Sequence, residues 1–342
     1  MIRAAGAWAL ALAAVVSARS AHAHDPVTTK VTFAREVRGI LAARCVTCHA
    51  PGGSAPMPLT TFEEVLPWAR ALKQQILTRQ MPKWHAARGF GAFRNDPSLT
   101  PFEQALLVSW IDGGAPEGSP RGSRVPRRRD VLTPAPGSVV TVTIPPRGDV
   151  GRTLLAAPAW ITGWSFEPGD PLITAAVISI DAATAGAWVA GDQTTLLPSG
   201  TGFSAMRRIR VDVRRRGATD YERLFVPRRS VLTLQTADAA PPRRVWTEQV
   251  QCGSQRAGPG ADLLAVRPLL DRAEARLWVS RAGAPSVIVG WFRDFDPLYP
   301  RTYWLQQPAE MGVDARLVAD GPCRVELTLA GQQQPAPATE RR

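Results

Sequence analysis

Residues 31–49 read VTFAREVRGILAARCVTCH, and this stretch decides how the first quarter of the chain folds. Phe33, Val37 and Leu41 recur at every fourth position, which places their side chains on one face of a helix. The pattern predicts a helix that ends near Arg44, directly before a Cys-x-x-Cys-His sequence.

Cys45-Val46-Thr47-Cys48-His49 is the pattern by which haem is attached covalently in exported proteins. Two cysteines at this spacing lie on one face of a helical turn, so both thiols can form thioethers, and His49 can offer a ring nitrogen to iron. A thioredoxin-like redox pair would require a preceding strand, and zinc would require a second Cys/His pair nearby. We therefore predict one covalent haem c, held by Cys45, Cys48 and His49.

The sixth iron ligand is predicted to be Met81, in the sequence Gln80-Met81-Pro82. The residue before a proline avoids helical angles, so Met81 is expected on an extended loop after a helix. A thioether ligand raises the reduction potential relative to two histidine ligands. His85 is the first alternative as the axial ligand, and Met57 is the second.

Histidine is scarce in this chain and confined to its beginning. The 342 residues include four histidines, at positions 22, 24, 49 and 85. Chemistry that depends on an imidazole is therefore excluded for everything after His85. The chain is 45% hydrophobic and 20% charged, which excludes a mostly disordered protein. The 41 Lys and Arg outnumber the 29 Asp and Glu, but the basic stretches lack interleaved aromatic residues, so no nucleic-acid partner is expected.

Composition divides the chain into segments. Residues 1–23 have a basic start, a short apolar run and an Ala-His-Ala sequence, so we expect a secretory signal peptide cleaved after Ala23 and no membrane span after cleavage. The predicted segments are the signal peptide (1–23), a haem domain (24–118), a Pro/Arg-rich linker (119–137), a β-sandwich domain (138–250), a second β-sandwich portion (251–330) and a disordered tail (331–342).

Helices are predicted in the haem domain from their start signals. Thr61-Phe62-Glu63-Glu64 and Thr100-Pro101-Phe102-Glu103 are capping boxes. The first opens a helix that continues to about Gln80, and Gly113-Gly114 ends the second. So few helices make a thin core, which would be marginal unless a large apolar group were buried among them.

Strands are predicted throughout the region after the linker. Short β-branched runs bounded by Pro, Gly and Asp recur there and predict an antiparallel all-β region. The runs are VVTVTI, PLITAAVISI, RRIRVDV, SVLTLQT, ARLWVS, SVIVGWF and CRVELTL. The fold class is therefore multidomain α + β, a small all-α domain followed by an all-β region.

Residues 31–118 resemble the class I cytochrome c domain that certain bacterial exported proteins carry in front of a pair of β-sandwiches. The resemblance rests on the helix that runs into Cys45–His49, on the Met81-Pro82 turn, and on a last helix in which Trp110 faces the first. It implies a His/Met-ligated haem that carries single electrons.

Residues 138–330 resemble, more faintly, the copper type II, ascorbate-dependent monooxygenases, which implies jelly-roll-like sandwiches. The motifs that carry this resemblance are WSFEPGD (164–170), GAW (186–188), LPSGTG (197–202) and WFRDFD (291–296). That family's reaction needs two coppers held by several histidines and a methionine. Because no histidine follows His85, we expect a β region that lacks the copper ligands and the monooxygenase activity.

Two further features of the β region indicate structural roles. Cys252 and Cys323 are the remaining cysteines of an exported chain, so one disulfide between them is predicted. In Arg207–Arg216 apolar and basic residues alternate, which predicts a strand with a basic outer face. Such a face suits an acidic redox partner or an anionic surface, but it is better explained as an ordinary solvated face in a chain that favours arginine throughout.

Together these features predict an exported, periplasmic monohaem cytochrome that transfers electrons to a partner protein and is not itself an enzyme. The copper-free β region would serve for docking or structure. One alternative is a redox enzyme whose haem feeds electrons to a site in the β region. A second is a haem-based sensor in which a diatomic ligand displaces Met81.

Overall fold

The fold is described by a computed structural model. It covers residues 29–119 and 138–332, apart from residues 52, 219–221, 223–225, 252–260, 270–273, 282, 313–314 and 321–323. The predicted signal peptide, nearly all of the predicted linker and both predicted disulfide cysteines therefore lie outside the described residues. Of the predicted tail, residues 331–332 belong to the last strand, and the rest lies outside as well.

The described helices all lie between residues 33 and 112. They are α1 (Arg38–Arg44), preceded by a π-helical turn (Phe33–Val37), α2 (Phe62–Val65), followed by a 3₁₀ turn (Leu66–Trp68), α3 (Ala69–Leu77) and α4 (Pro101–Asp112).

Both predicted capping boxes are confirmed. The Thr61 hydroxyl accepts from the Glu64 N–H at 3.3 Å, and the Glu64 carboxylate accepts from the Thr61 N–H at 3.0 Å. Thr100 and Glu103 form the same reciprocal pair at the start of α4. The predicted end of α3 near Gln80 is wrong, because the helix stops at Leu77.

The helices enclose their own apolar core. Val37 and Leu41 from the first helix pack with Leu72 of α3 and with Leu107 and Trp110 of α4. The Trp110 indole is fully buried, and its N–H donates to the Pro116 carbonyl at 2.9 Å. The predicted contact between the first and last helices is confirmed by the Phe33 and Trp110 rings, whose centroids lie 6.2 Å apart.

Sixteen strands fill the described part of the chain after residue 138, and no α-helix is described there. They are β1 (Val139–Ile144), β2 (Val150–Leu154), β3 (Ala159–Glu167), β4 (Ile173–Ile180), β5 (Ala183–Val189), β6 (Thr195–Leu196), β7 (Thr201–Ala205), β8 (Arg208–Arg215), β9 (Ser230–Ala237), β10 (Arg243–Gln251), β11 (Ala261–Leu269), β12 (Glu274–Arg281), β13 (Ala284–Arg293), β14 (Tyr303–Met311), β15 (Arg316–Ala319) and β16 (Arg324–Gln332). The predicted all-β region is confirmed.

Three sheets make up this region. The largest has the strand order β1-β9-β3-β7-β10-β16-β11-β14, with β6 added beside β3. The others have the orders β2-β8-β4-β5 and β13-β12-β15. All strand pairs are antiparallel except β7 with β10, which are parallel. The purely antiparallel prediction is therefore wrong at this pair. The same pair joins β1, β9, β3 and β7 to β10, β16, β11 and β14 in one sheet.

The large sheet contributes to two separate apolar cores. Side chains of β1, β3, β9 and neighbouring strands pack with the four-stranded sheet, around Trp164 and Ile178. Side chains of β11, β14 and β16 pack with the three-stranded sheet, around Phe292 and Tyr303. The alternation predicted for the basic strand is confirmed in β8, where Ile209 and Val211 are buried while Arg208 and Arg210 are exposed.

A loop between α3 and α4 enters the β region, so a self-contained all-α domain is not evident. Ala86 forms an isolated antiparallel bridge with Phe292 of β13, and Phe93 forms another with Leu305 of β14. Ala86 is buried in the second β core, with Trp84 and Phe93 packed against it. The helical segment is thereby fastened to the β region through its own chain.

Candidate functional site

The Cys45–His49 sequence forms a tight turn at the end of α1. The Cys45 and Val46 N–H groups both donate to the Leu41 carbonyl, at 2.8 and 2.9 Å. The Cys48 and His49 N–H groups both donate to the Cys45 carbonyl, at 3.1 and 2.9 Å. These bonds close the chain into a single turn that carries both thiols and the imidazole, as the sequence predicts.

Both cysteines of the turn are free thiols and partly buried. Burial, with a smaller contribution from Cys48, raises the pKa of Cys45 to about 12. Burial also raises the pKa of Cys48. The raised pKa values favour the protonated thiol at both positions.

The His49 ring is fixed by its backbone surroundings. His49 is buried, and its Nδ1 lies 2.9 Å from the Met57 carbonyl oxygen. Because a carbonyl can only accept, Nδ1 carries the proton, and Nε2 is the nitrogen with a free lone pair. Nε2 has no hydrogen-bond partner among the described residues. Burial lowers the pKa of His49, which keeps the ring in the neutral form that binds metals.

Met81 and Met57, two of the three candidates for the sixth ligand, have different surroundings. Met81 lies in the loop after α3, where its N–H donates to the Gln75 carbonyl at 3.2 Å, and its side chain is 37% exposed. Met57 packs against the helical core, and its carbonyl holds His49. Met81 thus presents the more accessible thioether.

His85, the remaining candidate, is built into the β region. Its Nδ1 lies 3.3 Å from the Tyr303 hydroxyl, and its ring centroid lies 5.7 Å from that of Phe295. Its carbonyl accepts from the Arg293 N–H at 2.7 Å. Burial first, and then the nearby Arg301 charge, lower the pKa of His85 to about 4.

A second group of residues at the turn was missed by the sequence analysis, because it comes from the β region. The loop after β5 lies directly against Cys48: a Cβ added to Gly191 would fall 2.5 Å from the Cys48 Sγ. The next residue, Asp192, forms an ion pair with Arg301, which precedes β14. A glycine after a strand ordinarily indicates only a turn, so no sequence signal marked this contact.

The donor set of the turn fits a covalently attached haem. The turn itself carries two thiols and a histidine whose Nδ1 is held by a carbonyl, which are the groups that attach such a haem and bind its iron on one side, whereas Met81 lies on a separate loop after α3. Four large apolar side chains of the helical segment are exposed. They are Leu66, Trp68, Leu77 and Phe102.

In the described part of the chain, no three or more His, Cys, Asp or Glu side chains come together as a group that could hold a metal ion. Within the same residues, no helix has the length and apolar character needed to cross a membrane.

Comparison with known proteins gives distant structural likenesses, and no protein-family model and no curated protein matches the chain. Among solved structures, the major capsid protein P2 from Bacteriophage PM2 is similar over 58% of this chain and 98% of its own, with 8% identity and a TM-score of 0.33. A likeness this distant carries no argument about function.

Proposed function

We propose that this protein is an exported, periplasmic monohaem c-type cytochrome that transfers single electrons. Cys45 and Cys48 would bind the haem covalently, His49 would be the proximal iron ligand, and Met81 would be the sixth. The observation that carries the proposal is the His49 ring of the Cys-x-x-Cys-His turn, which donates Nδ1–H to the Met57 carbonyl and so keeps the lone pair on Nε2.

The hydrogen bond to the Met57 carbonyl fixes the orientation of the His49 ring, as a metal ligand requires. Histidines that bind a metal through one ring nitrogen usually donate the other to a backbone carbonyl or a carboxylate, which fixes the tautomer and makes the ring a better donor. The Leu59 N–H donates to the His49 carbonyl at 2.8 Å and holds the same loop from the other side. When bound, haem would supply a redox centre that gains or loses one electron with little change in structure.

The β region is proposed as a docking or structural module. Its strand β8 exposes Arg208 and Arg210 on one face, and such a face attracts acidic partners by long-range electrostatics. Arg210 is also held by Asp212, at 2.7 and 2.5 Å, which reduces the net charge of the patch. The proposed partner is therefore an acidic redox protein whose binding weakens with added salt.

Absorption spectra test the ligand set. The oxidised wild-type protein is expected to show the weak far-red band of a Met–iron bond, and Met81→Ala to lose it while keeping its covalent haem. Met57→Ala and His85→Gln serve as matched controls that keep the band. A band that survives Met81→Ala and disappears in Met57→Ala would reassign the sixth ligand to Met57, and a wild-type spectrum without the band would reassign it to His85.

A redox enzyme is the second candidate function, because the attachment turn lies against the β region. Gly191 approaches Cys48 closely enough that a site in the β region would lie beside the electron carrier. Elemental analysis of the purified protein decides between the two functions. Stoichiometric copper together with oxygenase turnover would favour the enzyme, and iron alone supports the electron carrier.

A further inference from the structure

We propose that the β region completes the haem site, and that the ion pair between Asp192 and Arg301 sets the reduction potential of the group attached at Cys48. This inference rests on the proposed function. In this proposal Asp192 and Arg301 act on the iron through their charges and do not bind it.

The first step is the contact between the attachment turn and the loop after β5. Gly191 has a φ of +90°, and a Cβ there would lie 2.5 Å from the Cys48 Sγ and 3.6 Å from the Thr47 Oγ1. Glycine is thus required twice, for its left-handed backbone and for the space. The close approach brings Asp192, the next residue, to the same side of the turn.

The second step is the rigidity of the ion pair. The Asp192 carboxylate accepts from the Val189 N–H at 3.0 Å, and its backbone carbonyl accepts from the Trp188 indole N–H at 3.0 Å. Arg301 stacks over the Trp84 ring at 5.6 Å, and its N–H donates to the Tyr299 carbonyl at 2.7 Å. Both charges are therefore held in place by the β region and by the loop that enters it.

The third step is burial. The side chains of Arg301 and Asp192 are 3% and 12% exposed, and the Arg301 Nε is buried without a hydrogen-bond partner among the described residues. Charges removed from water are poorly screened, so each acts on its surroundings over a longer distance than a surface charge. A buried cation disfavours the oxidised iron, which carries one more positive charge, and a buried anion favours it.

These opposite effects define the experiment, which is a spectroelectrochemical titration of the holoprotein. Arg301→Gln is expected to lower the midpoint potential and Asp192→Asn to raise it. The double variant should return close to the wild-type potential, because it removes both charges together. Arg301→Lys keeps the charge and should keep the potential. The Arg267→Gln/Glu326→Gln double variant, which neutralises a buried ion pair with no polar contact to the turn, is the matched control and should not shift it.

The outcomes separate this inference from the proposed function. If Arg301→Gln and Asp192→Asn each carry one covalent haem and both keep the wild-type potential, the inference is overturned and the proposed cytochrome function is unaffected. Absence of covalent haem from the wild type would overturn the proposed function first. If one single variant does not fold, the other still decides by the sign of its shift, and the double variant, which leaves neither charge of the pair unpaired, tests whether the fold tolerates the change. Shifts of equal sign in both single variants would also refute the inference, because they would indicate a structural disturbance.

Discussion

Acidification is expected to weaken the fold through His85, which lies between the helical segment and the β region. The ring is 7% exposed and packs against Phe295, with its Nδ1 near the Tyr303 hydroxyl. Burial and the Arg301 charge lower its pKa from the ordinary 6.5 to about 4, and Asp296 opposes this only in part. The folded protein therefore holds His85 neutral at a pH where the unfolded chain would protonate it.

The size of the effect follows from proton linkage. Because the folded pKa is lowered, the stability contribution is complete above the unfolded value of 6.5 and is lost progressively as the pH falls toward about 4. One pKa unit corresponds to roughly 1.4 kcal/mol, so the free energy of unfolding should fall by about 2 kcal/mol by about pH 5 and by about 3 kcal/mol at most. Carboxylates with lowered pKa values, such as Glu103 and Asp181, lose their contribution at lower pH, below their ordinary range.

The assay is guanidinium unfolding followed by tryptophan fluorescence, at about pH 7.5 and about pH 5, for the wild type and His85→Gln. The wild type should lose about 2 kcal/mol more than the variant between the two conditions, since glutamine has no proton to bind. Tyr303→Phe serves as a control that removes the hydroxyl and keeps the titrating ring. Equal pH dependence in the wild type and His85→Gln would refute the reasoning that burial keeps His85 neutral.

Three further predictions concern stability and covalent structure. Glu326→Gln removes the anion of the buried Arg267, which donates two charge-assisted bonds to it at 2.9 and 2.8 Å, and should cost about 3–5 kcal/mol in denaturant unfolding. Trp110→Phe keeps an aromatic ring in the helical core but removes the buried hydrogen bond from the indole N–H to the Pro116 carbonyl. Because that carbonyl loses its donor, the substitution should cost about 1–3 kcal/mol in the same assay. The predicted Cys252–Cys323 disulfide should appear as a mass increase of about 2 Da on reduction and stabilise the fold by roughly 4 kcal/mol; an unchanged mass would exclude it.

The predicted disulfide joins residues outside the described part of the chain, and only their chain neighbours are described. Gln251 of β10 and Arg324 of β16 are paired residues at the ends of adjacent antiparallel strands. They are the residues next to Cys252 and Cys323, which lie outside the described part of the chain. The pairing is compatible with a bridge and does not replace the mass measurement.

Local signals could be predicted from the sequence because their causes are local. The capping boxes at Thr61 and Thr100 depend on side chains three residues apart, and the attachment turn depends on bonds within Cys45–His49 and to the preceding helix. The end of α3 escaped prediction because Arg79 adopts a φ of 58°, which nothing in its residue type indicates.

Long-range contacts could not be predicted in the same way. Strand β11 contains Arg267 and Pro268, which argue against an interior strand, yet it lies between β16 and β14. Arg267 is tolerated because Glu326, 59 residues away, neutralises it. Likewise, the approach of Gly191 to Cys48 joins residues that share no pattern, so the contribution of the β region to the site emerges only in three dimensions.

The covalent haem content of the exported protein tests the central claim most directly. The protein should be produced with its own signal peptide in a bacterial host that matures c-type cytochromes, then analysed by pyridine haemochrome spectrum and intact mass. We expect one c-type haem per chain in the wild type and in the control Cys252→Ser, and none in Cys45→Ser/Cys48→Ser. A wild-type chain whose mass shows no haem, and whose thiols at Cys45 and Cys48 both react with a thiol reagent, would contradict the account.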